Sequence, residues 1–186
     1  MPSRSLSSRR LTMLDLVRTG LYAGLAGGLA EILVVWAYSA LNGGDAAMVA
    51  RGVGAAIGLA GTSVMTGIAV HLGLGAALGI GLTIVLHMLV GRNAGDPVRF
   101  VFMVGSLQVV WMINFFIVLP VVSPAFVHLL PYSVTLSSKL LFGFVAAVTL
   151  RIRAQRVEMR GAQGRWLESA GGSVRTVRRP ASSPLR

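Results

Sequence analysis

Four long apolar runs alternate with polar or proline-containing stretches along the chain. They cover residues 19–41, 62–90, 100–119 and 132–150. A helix rises about 1.5 Å per residue, so about 20 apolar residues cross a hydrocarbon core of about 30 Å. Each run is close to that length or exceeds it. The pattern therefore predicts an all-α, polytopic membrane protein with four transmembrane helices.

Two shorter helices are predicted in the loops that follow the first and third spans. Residues 45–61 are mostly apolar but too short for a fifth span, which favours an interfacial or partly re-entrant helix started by Asp45. In the other loop, Ser123 precedes a proline, a pattern typical of a helix N-cap and first turn, and predicts a short helix to about Leu130. We expect the third span to end at Pro120, because its ring removes a helix donor.

The composition excludes an ordinary water-soluble domain. Hydrophobic residues make up 54% of the 186 residues and charged residues only 12%, about half the charged fraction of soluble proteins. The chain has no cysteine, which excludes disulfides, thiolate metal sites and a cysteine nucleophile. Histidine and the carboxylates are then the strong ligands and bases that remain.

The net charge of +11 predicts an orientation in the membrane. Basic residues are concentrated before the first span, in the second loop and after the fourth span, where nine arginines lie. Cytoplasmic segments carry such an excess. We therefore predict a multi-pass protein of a bacterial cytoplasmic (inner) membrane with both termini in the cytoplasm.

The same charges predict three segments and a lipid partner. They are a basic N-terminus at 1–18, a four-helix transmembrane domain at 19–150 and an arginine-rich tail at 151–186. The tail is predicted to start as a helix, to be disordered from Gly171, and to be attracted to an anionic inner leaflet. Nucleic acid is not a predicted partner, because no aromatic platform or folded module accompanies the arginines.

Small residues recur every four positions in the first two spans. The first span contains Gly20, Gly24 and Gly28, and the second contains Gly75 and Gly79. This spacing lets helix backbones approach closely in lipid. It predicts packing within the bundle, with homodimerisation through a glycine face as the alternative.

Charged and amide side chains within the apolar runs predict an intramembrane polar cluster. Counting the helical rise from the basic end of each span places Glu31 about 20 Å deep, Lys139 about 18 Å and Asn114 about 22 Å. We predict that these three meet in the outer half of the bilayer. Two roles stay open: an ion pair that fixes helix register, or part of a substrate or proton path.

The histidines suggest a second polar site. His71 and His87 lie in one span but 16 residues apart, so their rings face different sides at different depths. This spacing argues against a shared haem, and we predict no cofactor. His71 and His128 could meet near the outer surface as a proton or metal site, and ordinary hydrogen-bonded histidines are the alternative.

The motifs of soluble enzymes are missing from the sequence. The glycine-rich stretches lie inside spans and no Lys-Ser or Lys-Thr follows them, so they are not phosphate loops. Neither a His-Glu-x-x-His helix nor a nucleophile elbow occurs. The sequence therefore predicts no catalysis.

Parts of the third and fourth spans resemble a known family. The stretch from Gln108 to Pro120, QVVWMINFFIVLP, the short SPAF segment from Ser123 and KLLFG from Lys139 resemble small bacterial inner-membrane proteins of the YagU-like, domain-of-unknown-function type. The opening helix, from Gly20 to Glu31, is also similar to that group. The resemblance covers about residues 18–150 and implies a small bacterial inner-membrane protein, in one branch associated with acid tolerance.

Two functions follow from these features. We expect an accessory or scaffold subunit of a membrane assembly, with another membrane protein or a second copy as partner, because four spans form few cavities by themselves. The alternative is a small oligomeric protein for proton- or ion-coupled permeation that uses Glu31, Lys139 and His71.

Overall fold

The computed structural model describes residues 12–59, 61, 63–90 and 95–176, and the regular structure in these ranges is helical. The chain divides into two units, Met1–Leu150 and Arg151–Arg186. The helices are α1 (Met13–Asn42), α2 (Ala46–Ala56), α3 (Val64–Leu89), α4 (Asp96–Ile113), a π-helical segment (Asn114–Val118), α5 (Leu119–Val122), α6 (Pro124–Val127) and α7 (Tyr132–Thr176).

Four of these helical stretches are long and apolar enough to cross a membrane, which confirms the predicted all-α, four-span class. They are Met13–Asn42, Val64–Leu89, Asp96–Val122 and Tyr132–Gln163. Predicted segments before residue 12, at 91–94 and after Thr176 lie outside the described residues.

The first span begins six residues before its apolar run because of local capping. The Thr12 hydroxyl accepts a hydrogen bond from the Asp15 amide at 3.2 Å, and the Asp15 carboxylate accepts one from the Thr12 amide at 3.1 Å. This reciprocal pair satisfies two amide groups at the helix start. At the other end, Gly43 adopts a left-handed conformation with φ of 66° and closes α1.

The helix predicted after the first span is α2, and Asp45 begins it. The Asp45 carboxylate accepts a hydrogen bond from the Ala47 amide at 2.8 Å and pairs with Arg51 at 3.2 Å. The helix packs against α3, where Gly67 contacts the backbone of Ala50. The second predicted loop helix is α6, which is shorter than expected and ends at Val127 instead of Leu130.

The third span does not end at Pro120, which corrects the sequence prediction. A π-helical segment, Asn114–Val118, precedes the proline, and the helix continues through α5 to Val122. An α-helical proline lacks a donor and its ring meets the carbonyl four residues back. The wider π turn, in which the Leu119 amide donates to the Asn114 carbonyl, changes the backbone geometry one residue ahead of the proline.

The fourth span continues as α7 to Thr176, through the glycine pair at 171–172. Disorder was predicted from Gly171, so the helix extends further than the sequence indicated. A helix that is already formed adds residues at little cost, and two glycines cost only about 1 kcal/mol each. The remaining tail, including Pro180, lies outside the described residues.

Helices α1 and α3 are antiparallel and approach to backbone contact through glycines. A Cβ atom on Gly20 would lie 2.6 Å from the Ile80 Cα, and one on Gly79 would lie 2.5 Å from the Gly24 Cα. Gly24 likewise faces the carbonyl of Gly75. The predicted glycine faces therefore pack against each other within the bundle.

Two apolar clusters divide the bundle. We call the part around the first cluster the terminal half, and its buried residues are Ala23, Leu86, Met103, Leu107, Phe142, Ala146 and Ala147. We call the part around the second cluster the loop half, and its buried residues are Trp111, Phe115, Leu119 and Val127. Helices α2 and α6 belong to the loop half, and the candidate site lies between the two clusters.

Candidate functional site

A buried ion pair joins the first and last spans. The Lys139 ammonium donates a hydrogen bond to Oε2 of Glu31 at 2.7 Å, and the two side chains are only 15% and 10% exposed. Glu31 shares the buried face of α1 with Gly24 and Gly27, because residues separated by four and seven positions lie on one helix side. The structure thus brings together the two charged residues whose depths the sequence matched.

Ser138 is a third member of the site, and the sequence analysis missed it. Its hydroxyl lies 3.3 Å from Oε1 of Glu31 and 2.8 Å from the Thr135 carbonyl. A hydroxyl has one hydrogen, so the shorter contact holds it more strongly and the Glu31 contact is secondary. The signal available in the sequence was a serine directly before the intramembrane lysine.

His71 of α3 reaches the same carboxylate. Its Nε2 atom lies 3.6 Å from Oε2 of Glu31, too far for a hydrogen bond, and is buried without a hydrogen-bond partner. The ring also forms a hydrogen bond with the backbone of Gly28. The sequence had placed His71 nearer the membrane surface than Glu31, whereas the structure places it beside the ion pair.

These polar groups line one cavity of about 920 Å³. Its wall is mostly apolar, with side chains from each of the helices α1 to α7 and from the π segment. The volume lies in the range of about 300–1,000 Å³ that small-molecule sites occupy. Glu31, His71 and Lys139 are the ionisable lining residues from the spans, and Asp45 lines the cavity from the loop before α2.

An aromatic ring supports the lysine from the terminal half. The Lys139 ammonium lies 5.6 Å from the centroid of the Phe142 ring, within the distance of a cation–π contact. Phe142 is 1% exposed and packs where Gly27 has no side chain, because a Cβ there would lie 2.6 Å from the ring. The glycine face of α1 therefore accommodates the ring on which the ammonium rests.

Asn114 lines the cavity, but within the described residues no hydrogen bond joins it to the ion pair. The Trp111 indole donates to the Thr135 hydroxyl at 3.1 Å, so Trp111 is level with a residue one helical turn before Lys139. Asn114 therefore lies further towards the loops.

The structure gives His128 a different environment from His71. His128 follows α6, is exposed, and is not among the cavity-lining residues. Within the described ranges, no three His, Asp or Glu residues are grouped as a metal ion requires. The polar site around His71 consists of a carboxylate, an ammonium and one imidazole, a set suited to exchanging protons.

One buried side chain near the site has unsatisfied polar atoms. Both amide atoms of Gln108 are buried without a hydrogen-bond partner. Its position on α4 falls between Val104, which contacts Gly143, and Trp111, which bonds Thr135. Gln108 is thus at about the level of Lys139, deeper than Asn114.

No protein-family model matches this chain, and neither a curated protein nor a solved structure matches it. The resemblance to YagU-like proteins stays a prediction.

Proposed function

We propose that this protein is a small membrane transport protein that couples movement of a solute to protons at Glu31, His71 and Lys139. The observation that carries the proposal is the meeting of these side chains, from three spans, on one carboxylate inside a 920 Å³ cavity. Ionisable residues are rare in membrane interiors and mark pathways or proton relays when they face a cavity.

The cavity favours transport over the accessory role that the sequence suggested first. That role rested on the expectation that four spans form few cavities without oligomerisation. One chain here forms a cavity of ligand size whose lining residues all belong to the unit Met1–Leu150. A single copy thus supplies both the cavity and the ionisable groups.

The chemistry of the site supports a proton as the coupled ion. Lys139 holds one oxygen of Glu31, while the Nε2 atom of His71 lies near that oxygen without a partner. A neutral imidazole with an unpartnered ring nitrogen has a free position for a proton. The neighbouring carboxylate stabilises the imidazolium that results.

We further propose the bacterial cytoplasmic membrane as the location, with both termini in the cytoplasm. The basic flanks support this orientation, in which α2 and α6 lie on the outer side. Arginines at the start of the tail, including Arg151 and Arg153, would each contribute about 1 kcal/mol of attraction to an anionic leaflet. Reporter fusions after Arg186 and near Asn42 test the proposed orientation and should report opposite compartments.

Proton movement into proteoliposomes with an internal pH dye tests the transport function. We expect dissipation of an imposed pH gradient that disappears in the Glu31→Gln, Lys139→Met double variant, which removes both charges together. His71→Gln should slow proton movement, while His87→Gln is the matched control because His87 is on the same helix but does not line the cavity. Unchanged movement in both cluster variants would contradict the proposal.

The accessory or scaffold function is the second candidate, and the 2.7 Å ion pair between α1 and α7 favours it, since such a pair also fixes helix register. Its test is purification in mild detergent followed by mass spectrometry. A partner recovered in stoichiometric amount, together with proteoliposomes in which the pH gradient persists, supports this role. A protein that purifies alone and moves protons contradicts it.

A further inference from the structure

Lys139 and His71 have hydrogen-bonding capacity that their protein contacts do not use. The Lys139 ammonium carries three hydrogens, and within the described part of the chain it donates one hydrogen bond, to Glu31. The face of Phe142 provides the other described contact. When His71 is protonated, Nε2 adds a further donor that has no hydrogen-bond partner. A ligand that accepts hydrogen bonds would complete these groups.

The charges of the site favour a monovalent anion that enters with one proton. Glu31 and Lys139 cancel, so the site is neutral while His71 is neutral and carries +1 when His71 is protonated. Isolated charge is costly in a low-dielectric interior. An anion bound together with a proton on His71 keeps the sum at zero.

Asp45 is the fourth ionisable residue that lines the cavity, and it does not change the net charge around His71. Asp45 lines the cavity from the loop before α2, and it is paired with Arg51 at 3.2 Å. The cavity-lining residues of α2, α4, the π segment, α5 and α6 contribute no titratable side chain. Glu31 and Lys139 are thus the charges that act on His71 from the neighbouring helices.

We infer that the cavity binds a single-chain carboxylate together with one proton, its headgroup on Lys139 and His71 and its hydrocarbon chain along the apolar wall. This substrate class rests on the transport function proposed above. A carboxylate has two oxygens, so it accepts from both groups at once. Val35, Val53, Ile68 and Leu119 are among the apolar residues that would surround the chain.

Other single-chain amphiphiles fit the site less well. An alkyl ammonium would bring a second positive charge next to Lys139, and like charges repel strongly where the dielectric constant is low. An alkyl alcohol carries no charge and therefore gains nothing from protonation of His71. A two-chain anionic phospholipid also has an anionic headgroup, so it is the alternative ligand that could compete for Lys139 and His71.

The test uses the two cavity-lining tryptophans, Trp36 and Trp111, as reporters in nanodiscs of phosphatidylcholine. The probe is dodecanoate carrying bromine, which quenches tryptophan on contact. Dodecyl sulfonate, dodecanol, dodecyltrimethylammonium and phosphatidylglycerol serve as competitors. Quenching that does not saturate with probe concentration is the background from probe dissolved in the bilayer, and the Glu31→Gln, Lys139→Met double variant tests the site.

We expect saturable quenching in the native protein, at least tenfold weaker binding in the double variant, and displacement by the sulfonate. A sulfonate stays ionised, so its binding should take up about one proton, read by a dye in weak buffer, and affinity should rise up to about tenfold per unit of falling pH. His71→Gln should remove this pH dependence, and His87→Gln should retain it.

Equal displacement by dodecanol or by phosphatidylglycerol would overturn the inference, as would sulfonate binding without proton uptake. The two proposals fail separately. Proton movement that depends on Glu31 but is accompanied by no carboxylate binding contradicts only the substrate class. Carboxylate binding with proton uptake, in a protein that leaves the pH gradient intact, contradicts only transport.

Discussion

The terminal and loop halves of the bundle hold their helices together in different ways. In the terminal half, Gly20, Gly24 and Gly79 bring α1 and α3 to backbone contact, and Phe142 and Met103 fill the space beside them with at most 1% exposure. In the loop half, the helices surround a 920 Å³ cavity. Lipid offers no hydrophobic force between helices, so a half that gives up close packing needs specific polar contacts.

The ion pair lies at the boundary between these halves. On its terminal side it rests on Phe142, and on its loop side Glu31 and Lys139 line the cavity. A charge-assisted contact of 2.7 Å can replace part of the packing that the cavity removes. The terminal half thus fixes the positions of the helices, whereas the loop half has space for a ligand.

The largest expected effect comes from breaking the pair at this boundary. Lys139→Met leaves the Glu31 carboxylate buried without its cation, and we expect a loss of about 3–5 kcal/mol in the free energy of unfolding. The Glu31→Gln, Lys139→Met double variant leaves no unpaired charge and should recover most of this loss. Thermal unfolding in detergent, followed by circular dichroism, measures both; equal melting temperatures for the single variant and the native protein would contradict the prediction.

The next effect tests the close packing of the terminal half. In Gly24→Ile the new side chain would overlap the backbone of Gly75 and Ala76, and overpacking of this kind costs about 1–3 kcal/mol. Gly73→Ile is the matched control, because no heavy atom lies within 4 Å of a Cβ at that position on α3. Melting temperatures in the same detergent measure the difference, and a control that unfolds as early as Gly24→Ile would show that the packing is not specific.

A smaller effect tests the polar contacts of the loop half. Trp111→Phe removes the indole donor to Thr135, whose hydroxyl keeps its own hydrogen bond to the Tyr132 carbonyl at 3.0 Å. Because no buried polar group is left unpaired, we expect a loss of about 0.6 kcal/mol from the hydrogen bond, the average between membrane helices, and about 1 kcal/mol more from the smaller ring. Equilibrium unfolding measures this, and a loss as large as that of Lys139→Met would mean that this contact, too, is essential to the bundle.

The smallest effect comes from adding volume to the cavity. Ala47→Val extends into it from α2 and should change the free energy of unfolding by less than about 0.5 kcal/mol, because no packed neighbour must move. The same substitution at Ala146, which is 0% exposed in the terminal core, should cost about 1 kcal/mol or more. Equal costs at the two positions, again from unfolding, would remove the distinction between the halves.

The sequence was sufficient for the number and class of spans, because hydrocarbon thickness sets the length of an apolar helix. It also indicated the glycine faces and the level shared by Glu31 and Lys139, since the rise of a helix is constant. The residues at which the spanning helices begin and end were harder to predict from the sequence. Capping by Thr12 and the π turn before Pro120 extend two spans beyond their apolar runs.

The position of His71 could not be obtained by counting residues. Glu31 lies 11 residues before the end of α1 and His71 lies seven after the start of α3, a difference of about 6 Å along the helix axes. Helix tilt and side-chain length cover such a distance. Ser138 was missed because its contribution depends on rotamer choice and on the Thr135 carbonyl, which spacing alone does not specify.

The π segment of the third span has a consequence for insertions and deletions. Each helical residue advances the azimuth by about 100°, so removing one residue between Asn114 and Val118 would rotate everything that follows by about that angle. Leu119, which lines the cavity and belongs to the loop-half cluster, would then point elsewhere while every side chain beyond the deletion kept its chemistry. The direction in which the residues after the π segment point therefore depends on how many residues the turn contains. It does not depend on which side chains those residues carry.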